Sequence, residues 1–193
     1  MTIGVIALQG NYQKHKEKLD EAGFKTQLIK ESSQLKKLSG IVIPGGESTT
    51  LLKLINNDFK KNLTTAITNG TPTIATCAGL ILIAKNVTAP RQQSFNLIDL
   101  DVQRNGFGRQ VNSFITKELI IEDKYRIHSN LTLEGVFIRA PRITRIGSSV
   151  ETVLSLNNEP VLVKSKNILA ATFHPEMSSG KHLVYDIFSQ MLN

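Results

Sequence analysis

The residues Thr2-Ile-Gly-Val-Ile-Ala-Leu8 form an almost unbroken apolar run that stops at Gln9-Gly10. A strand with one wet face alternates apolar and polar side chains, so an unbroken run implies a strand covered on both faces, as in a parallel sheet between helices. The next segments fit that constraint. Asn11 to Ala22 is a polar helical stretch with Asn11 placed as N-cap and Gly23 at its end, and Phe24 to Ile29 alternates as a second strand, completing a βαβ unit. Gly40-Ile-Val-Ile-Pro44 predicts a third strand ending at a Gly-Gly turn. Ser48 to Phe59 reads as a helix burying Leu51, Leu52, Leu54 and Ile55, with a further helical piece over Asn62 to Asn69. Pro72 to Thr76 is a strand running straight into Cys77-Ala-Gly79, and Leu80 to Ala84 a compact apolar helix. Beyond Leu97 the pattern changes to short strands, Leu97–Val102, Val111–Ile121, Gly135–Ala140, Val153–Leu156, Val161–Val163 and Leu169–Phe173, closed by a helix over Gly180 to Leu192. With no repeat or linker, residues 1–193 read as a single α/β domain whose mixed, mostly parallel sheet gains antiparallel strands in the second half.

Composition narrows the functional classes. Apolar residues at 40% and charged residues at 20% describe an ordinary globular chain that folds without cofactors or staples. No run approaches the roughly 18 apolar residues of a membrane span, and no basic-then-apolar leader precedes the first strand, so a cytoplasmic protein without a membrane partner is expected. The lone Cys77 cannot form an internal disulfide. Lys and Arg exceed Asp and Glu by 23 to 16, a formal +7, but Lys14, Lys16 and Lys18, then Lys36 and Lys37, then Lys60 and Lys61 lie in separate segments without interleaved aromatics. That pattern argues against nucleic acid as a partner.

Three segments carry chemistry. Ala75-Thr-Cys-Ala-Gly79 is a variant of the small-x-nucleophile-x-Gly elbow, with Ala75 where a strict elbow has Gly. Small neighbours let a sharp strand-to-helix turn push the nucleophile into a strained position, where a thiolate sees the positive end of the helix dipole. A cysteine is also a residue type often merely buried, and that reading stands beside the first. A nucleophile needs a proton carrier, and His174-Pro-Glu176 closes the apolar run Leu169 to Phe173. A spacing of two places both side chains on one strand face, so that Glu176 can hold one nitrogen of His174 while the other faces Cys77. The alternatives are an exposed His-Pro turn with an incidental acid, or a metal held by His174, Glu176 and His182, although no His or Cys pair supplies a ligand frame. His15 and His128 have no local partner and read as packing or surface residues.

Pro44-Gly-Gly-Glu-Ser-Thr-Thr50 is a glycine turn without the spacing or the lysine of a phosphate loop. It offers close backbone approach at the carboxyl edge of the sheet, where open α/β sheets place ligands. The N–H of Gly46 with that of Ala78 is a candidate oxyanion hole. The plain alternative is a strand break with Ser48 as N-cap of the next helix.

Taken together, Pro44-Gly-Gly-Glu-Ser-Thr49, Thr76-Cys-Ala-Gly-Leu80, Arg104-Asn-Gly-Phe-Gly-Arg-Gln110, Gly135-Val-Phe-Ile-Arg-Ala-Pro141 and Phe173-His-Pro-Glu176 resemble the glutaminase subunits of pyridoxal 5'-phosphate synthase, a family of class I glutamine amidotransferases. The resemblance spans nearly the whole chain. It implies a three-layer, flavodoxin-like fold and a Cys77, His174, Glu176 triad that hydrolyses L-glutamine through a glutamyl thioester without a metal or other cofactor. It places Gly46, Glu47, Ser48, Arg104, Ile138 and Arg139 around the glutamine. A guanidinium is the natural planar partner of the glutamine α-carboxylate. Arg142 and Arg145 read instead as a solvated basic edge or a docking surface. The implied partner is a barrel-shaped synthase subunit that combines the released ammonia with ribose 5-phosphate and glyceraldehyde 3-phosphate. Two rivals are a glutaminase serving a different acceptor synthase and a non-catalytic, redox-sensing α/β module.

Overall fold

The computed structural model describes residues 1–107, 113–125, 131 and 133–192. His128 and the Gly-Arg-Gln end of the Arg104–Gln110 motif lie outside the described residues, as does the start of the strand expected from Val111.

The N-terminal run is β1 (Thr2–Ile6), followed by α1 (Tyr12–Glu21), β2 (Lys25–Ile29), β3 (Gly40–Ile43), α2 (Ser48–Leu54), α3 (Asn57–Thr68), β4 (Thr73–Thr76) and α4 (Ala78–Ile83). The second half holds β5 (Ala84–Thr88), β6 (Ile98–Gln103), β7 (Phe114–Thr116), β8 (Ile120–Ile121), β9 (Gly135–Phe137), β10 (Arg142–Ile146), β11 (Glu151–Leu156), β12 (Glu159–Ser165), β13 (Ile168–Ala171) and α5 (Leu183–Met191). The main sheet runs β2-β1-β3-β4-β13-β12-β11-β8. Pairing is parallel from β2 to β13 and antiparallel from β13 to β8.

The unbroken apolar runs are explained by two cores, one on each face of this sheet. Ile41 and Ile43 of β3, Ala75 of β4 and Ile168 and Ala170 of β13 join Leu51, Phe59, Leu63 and Ile67 of α2 and α3. The alternate residues Val42, Ile74, Leu169 and Ala171 join Leu19 of α1 and Leu183, Val184 and Phe188 of α5. This is the expected three-layer arrangement, and it aligns the carboxyl ends of the neighbouring parallel strands β1, β3, β4 and β13 along one edge.

Several expectations need correction. The second half does not feed all its strands into the main sheet. β10, β6 and β5 form a separate three-stranded sheet, and β7 pairs with β9 in a two-stranded one. The helix expected from Ser48 to Phe59 is two helices. Ile55 is extended, and Asn56 starts α3 by accepting a hydrogen bond from the Phe59 N–H at 2.9 Å. Leu54 is accordingly 49% exposed rather than buried. Arg142 and Arg145 lie on β10 with side chains 45% and 41% exposed, a solvated edge as expected, and each is paired, Arg142 with Glu159 and Arg145 with Asp99 and Asp101. Among the described residues no helix is long and apolar enough to cross a membrane.

The last helix begins at Leu183 rather than Gly180 because His182 is its N-cap. The imidazole Nδ1 accepts from the Val184 N–H at 3.2 Å, and Nε2 lies 3.0 Å from the Glu134 carbonyl. An imidazole that accepts at one nitrogen and donates at the other is neutral, and burial holds His182 down at about 4, against 6.5 when exposed. A depressed folded pKa contributes stability that is complete above the unfolded value and fades as pH falls toward the folded one. Between about pH 7 and about pH 4.5 this residue is expected to account for about 2 kcal/mol of lost stability. His182→Asn keeps a capping acceptor that does not titrate. Urea unfolding at both pH values should show a smaller difference for the variant than for the wild type, and an equal difference would remove His182 as the source.

Candidate active site

The edge of the sheet brings the three expected segments together. β4 ends directly at Cys77, β3 ends at the Gly45-Gly46 turn, and β13 leads into His174. β3 and β4 are neighbours, as are β4 and β13, with Ile43 opposite Ala75 and Ala171 opposite Thr76. Segments far apart in the chain therefore meet as consecutive strand ends.

Cys77 adopts φ 47° and ψ −102°, a conformation that costs an ordinary L residue about 1–3 kcal/mol. It is held there from both sides, since its N–H donates to the Ala171 carbonyl at 2.8 Å and its carbonyl accepts from Ile81 at 3.1 Å. This is the strained elbow the sequence predicts. Ala75 fits because it lies inside β4, fully buried between β3 and β13.

His174 is fixed by a backbone hydrogen bond from its N–H to the Val136 carbonyl at 2.8 Å, and its Nδ1 lies 2.7 Å from Glu176 Oε1. The expected spacing holds, but its cause differs. β13 ends at Ala171, and Pro175–Met177 is a 3₁₀ turn with Pro175 at its start, so the turn and not a shared strand face folds Glu176 back onto the ring. Burial disfavours the imidazolium, yet the hydrogen bonds and charges of Cys77 and Glu176 outweigh it and raise His174 to about 10. Burial likewise opposes the Glu176 carboxylate, but His15 and His174 outweigh it and hold Glu176 down at about 2. The result is a buried imidazolium between a sulfur and a carboxylate, the arrangement that activates a cysteine nucleophile and supplies a proton to its leaving group.

The glycine turn packs against this pair. A Cβ on Gly45 would stand 2.4 Å from His174 Cε1 and 3.2 Å from Cys77 Cβ, so only glycine lets the turn approach the pair. The Gly45 carbonyl accepts from the Asn11 N–H at 3.1 Å, which directs the Gly46 N–H the opposite way across the peptide plane. Ala78 opens α4, where its N–H has no carbonyl to serve within the helix.

A chain with these strand ends, this elbow and this buried acid–base pair matches the SNO glutamine amidotransferase family over residues 5–193. It belongs to that family. The pyridoxal 5'-phosphate synthase subunit PdxT of Thermotoga maritima is 41% identical over 187 residues, covering 95% of each chain. The subunit of the same name from Solibacter usitatus is 39% identical over 190 residues, covering 98% of each. A crystal structure of a glutamine amidotransferase superposes with a TM-score of 0.87 at 34% identity, covering 98% of both chains. PurLQS of Thermotoga maritima, at 16% identity and a TM-score of 0.69 over 99% of this chain and 96% of that one, shares the fold.

The remaining residues expected around a glutamine in this amidotransferase take several different roles. The Ile138 carbonyl lies 4.0 Å from Cys77 Sγ, and Arg139 comes next in the chain with φ 45°. Glu47, rather than Ser48, is the N-cap of α2, with its carboxylate accepting from the Thr50 N–H at 2.6 Å and the Thr49 hydroxyl at 2.5 Å. Burial works against its charge, but those hydrogen bonds bring Glu47 to about 2. Its Oε1 lies 3.3 Å from Arg104 Nη2, so the arginine approaches the site already paired through one nitrogen. Ser48 is buried, and its hydroxyl donates to Gln92 at 2.8 Å.

Sequence reasoning missed three side chains. Gln9 lies against Gly46 and accepts from the Glu47 N–H at 3.0 Å. Asn11 occupies the N-cap position of α1 but makes no cap, and its amide instead donates to Glu176 Oε1 at 3.4 Å. His15, expected to be mere packing or surface, is fully buried with Nε2 3.2 Å from Glu176 Oε2. Their signal was position alone, since all three follow the first buried strand at the ligand edge. His182 is spent on its cap, and among the described residues no group of His, Cys, Asp and Glu is gathered to hold a metal.

Proposed function

We propose that this amidotransferase, read as one glutaminase unit of 193 residues, hydrolyses L-glutamine and hands the ammonia to a synthase subunit that forms pyridoxal 5'-phosphate in the cytoplasm. The observation that carries the reading is the strained Cys77 elbow beside the buried His174–Glu176 pair, in a chain similar along its length to subunits bearing that synthase name. The Cys77 thiolate attacks the carboxamide carbon, and the N–H groups of Gly46 and Ala78 receive the tetrahedral oxyanion. His174 protonates the departing ammonia. Water then attacks the glutamyl thioester with His174 as base, releasing glutamate and restoring the thiol. Gly46, Glu47, Ser48, Arg104, Ile138 and Arg139 line the glutamine site in this reading, with Arg104 and Arg139 the candidate carboxylate partners.

The relatives that this chain matches over 95% and 98% of their length are named as subunits of a synthase, so the acceptor chemistry is assigned to a partner. That partner is proposed to be the barrel-shaped subunit that binds ribose 5-phosphate and glyceraldehyde 3-phosphate. The test is to mix the two subunits with amide-¹⁵N glutamine and track both glutamate release and ¹⁵N in pyridoxal phosphate. Glutamate formation together with label in the product is expected. Glutamate without label transfer would assign another acceptor, and no glutamate with the partner present would sink the glutaminase reading.

A further inference from the structure

The triad carboxylate has a second face that the proposed reaction does not use. Glu176 is buried, and its Oε1 already accepts from His174 at 2.7 Å and from Asn11 at 3.4 Å. Among the described residues Oε2 has no donor in full hydrogen-bond geometry, and His15 Nε2 stands 3.2 Å from it. The same nitrogen lies 3.1 Å from the Thr76 hydroxyl, next in the chain to Cys77, which draws its N–H off the Oε2 axis. On the other side of the ring, His15 Nδ1 lies 2.9 Å from the Tyr185 hydroxyl of α5, and the two rings meet edge to face at 6.1 Å.

The chemistry of these atoms orders the protons. An ionised carboxylate only accepts, so the nitrogen facing Oε2 must carry the hydrogen. Burial favours the neutral ring and lowers the His15 pKa against the pull of Glu176, with His174 adding to the lowering. A neutral imidazole protonated at Nε2 accepts at Nδ1, so Tyr185 donates there. Burial raises Tyr185 well above 10.0, which keeps that donor protonated. The groups facing His15 are thus Glu176 from the 3₁₀ turn, His174 at the N-cap of that turn, Thr76 from β4 and Tyr185 from α5.

Resting on the glutaminase reading, we propose that His15 is a positioning residue for this reaction, holding the Glu176 carboxylate from the side opposite His174, with Tyr185 fixing the tautomer that does so. With His174 and Asn11 on Oε1 and the His15 ring 3.2 Å from Oε2, the carboxylate has little room to swing away from the His174 Nδ1–H, and the imidazole keeps its aim at Cys77. Such supporting contacts are typically worth roughly 10–100-fold in activity.

The test compares His15→Leu, His15→Gln and Tyr185→Phe in the complex with the synthase subunit. Leucine keeps the bulk and loses both polar atoms, whereas the terminal amide of glutamine restores a donor near the Nε2 position. His15→Leu is expected to lower kcat by roughly 10–100-fold at unchanged KM for glutamine, with His15→Gln recovering part of it and Tyr185→Phe losing several-fold. The acid limb of the pH profile for Cys77 alkylation by iodoacetamide should move upward in His15→Leu, because the carboxylate loses a partner that favours its charge. Wild-type kcat and an unmoved limb in the variants would overturn the proposal, as would a change confined to KM. Should His15→Leu fail to fold, Tyr185→Phe and His15→Gln decide by the same two readouts. If the wild-type complex releases no glutamate, the glutaminase reading fails by itself, and the alkylation profile still judges the brace.

Discussion

Cys77→Ala is expected to abolish glutamine hydrolysis, lowering kcat by about 10,000-fold or more, while leaving pyridoxal phosphate synthesis from added ammonia intact in the complex. The large effect follows from the site having a single sulfur, since Cys77 is the chain's only cysteine. The selectivity follows from how little else that sulfur does. It lies 4.0 Å from the Ile138 carbonyl and interacts with the His174 ring. The strained backbone at φ 47° is held by main-chain hydrogen bonds that alanine keeps. Alanine tolerates that φ no worse than cysteine does, so the elbow, the fold and the docking surface survive. Glutaminase activity and ammonia-driven synthesis are to be measured on the same preparation. Loss of both would make Cys77 an assembly residue, and retained glutamine hydrolysis would remove it as the nucleophile.

Cys77 and His174 of the proposed triad could be placed from the sequence because each follows a buried strand, and buried strands announce themselves as apolar runs. Thr73–Thr76 and Ile168–Ala171 are both entirely buried, and Cys77 and His174 come after them at the edge where parallel strands place ligands. Glu176 could be read only as a neighbour in sequence. That it folds back through a 3₁₀ turn depends on Pro175, whose effect on a chain leaving a strand is not a matter of periodicity. The errors cluster where polar residues decide. Ile55 leaves the first helix and Asn56 caps the next, although the apolar spacing from Leu51 to Phe59 runs straight through them. The arginines of β10 were legible as a solvated edge, but not their pairing with Glu159, Asp99 and Asp101, which lie elsewhere in the chain. The β5 strand hid behind the C-terminal end of α4, with no turn residue between Ile83 and Ala84. His15 was invisible for the same reason. Its partners Thr76, Glu176 and Tyr185 lie 61 or more positions away, so nothing local marks it as different from a surface residue of a polar helix.

Gly45→Ala is expected to lower kcat for glutamine hydrolysis by about 100-fold or more without unfolding the chain, because about 1 Å of misplacement in a reacting pair is enough for such a loss. The added methyl would lie 2.4 Å from His174 Cε1, 3.0 Å from Nδ1 and 3.2 Å from Cys77 Cβ. The ring has nowhere to retreat. Its backbone N–H is tied to Val136 at 2.8 Å and its Nδ1 to Glu176 at 2.7 Å. Nor can the turn easily withdraw, since the Gly45 carbonyl is held by Asn11, and a Cβ on Gly10 would already stand 1.8 Å from that carbonyl. The strain therefore falls on the contact between the imidazole and the sulfur, at a stability cost of about 1–3 kcal/mol for overpacking. Gly70→Ala is the control, because Gly70 has φ +97° but nothing within 4 Å of its would-be Cβ. It should cost comparable stability through its backbone and leave kcat unchanged. If Gly45→Ala matches this control in both stability and kcat, the turn does not press on the His174–Cys77 pair. If ammonia-driven synthesis also falls in Gly45→Ala, the substitution acts on docking and not on the triad.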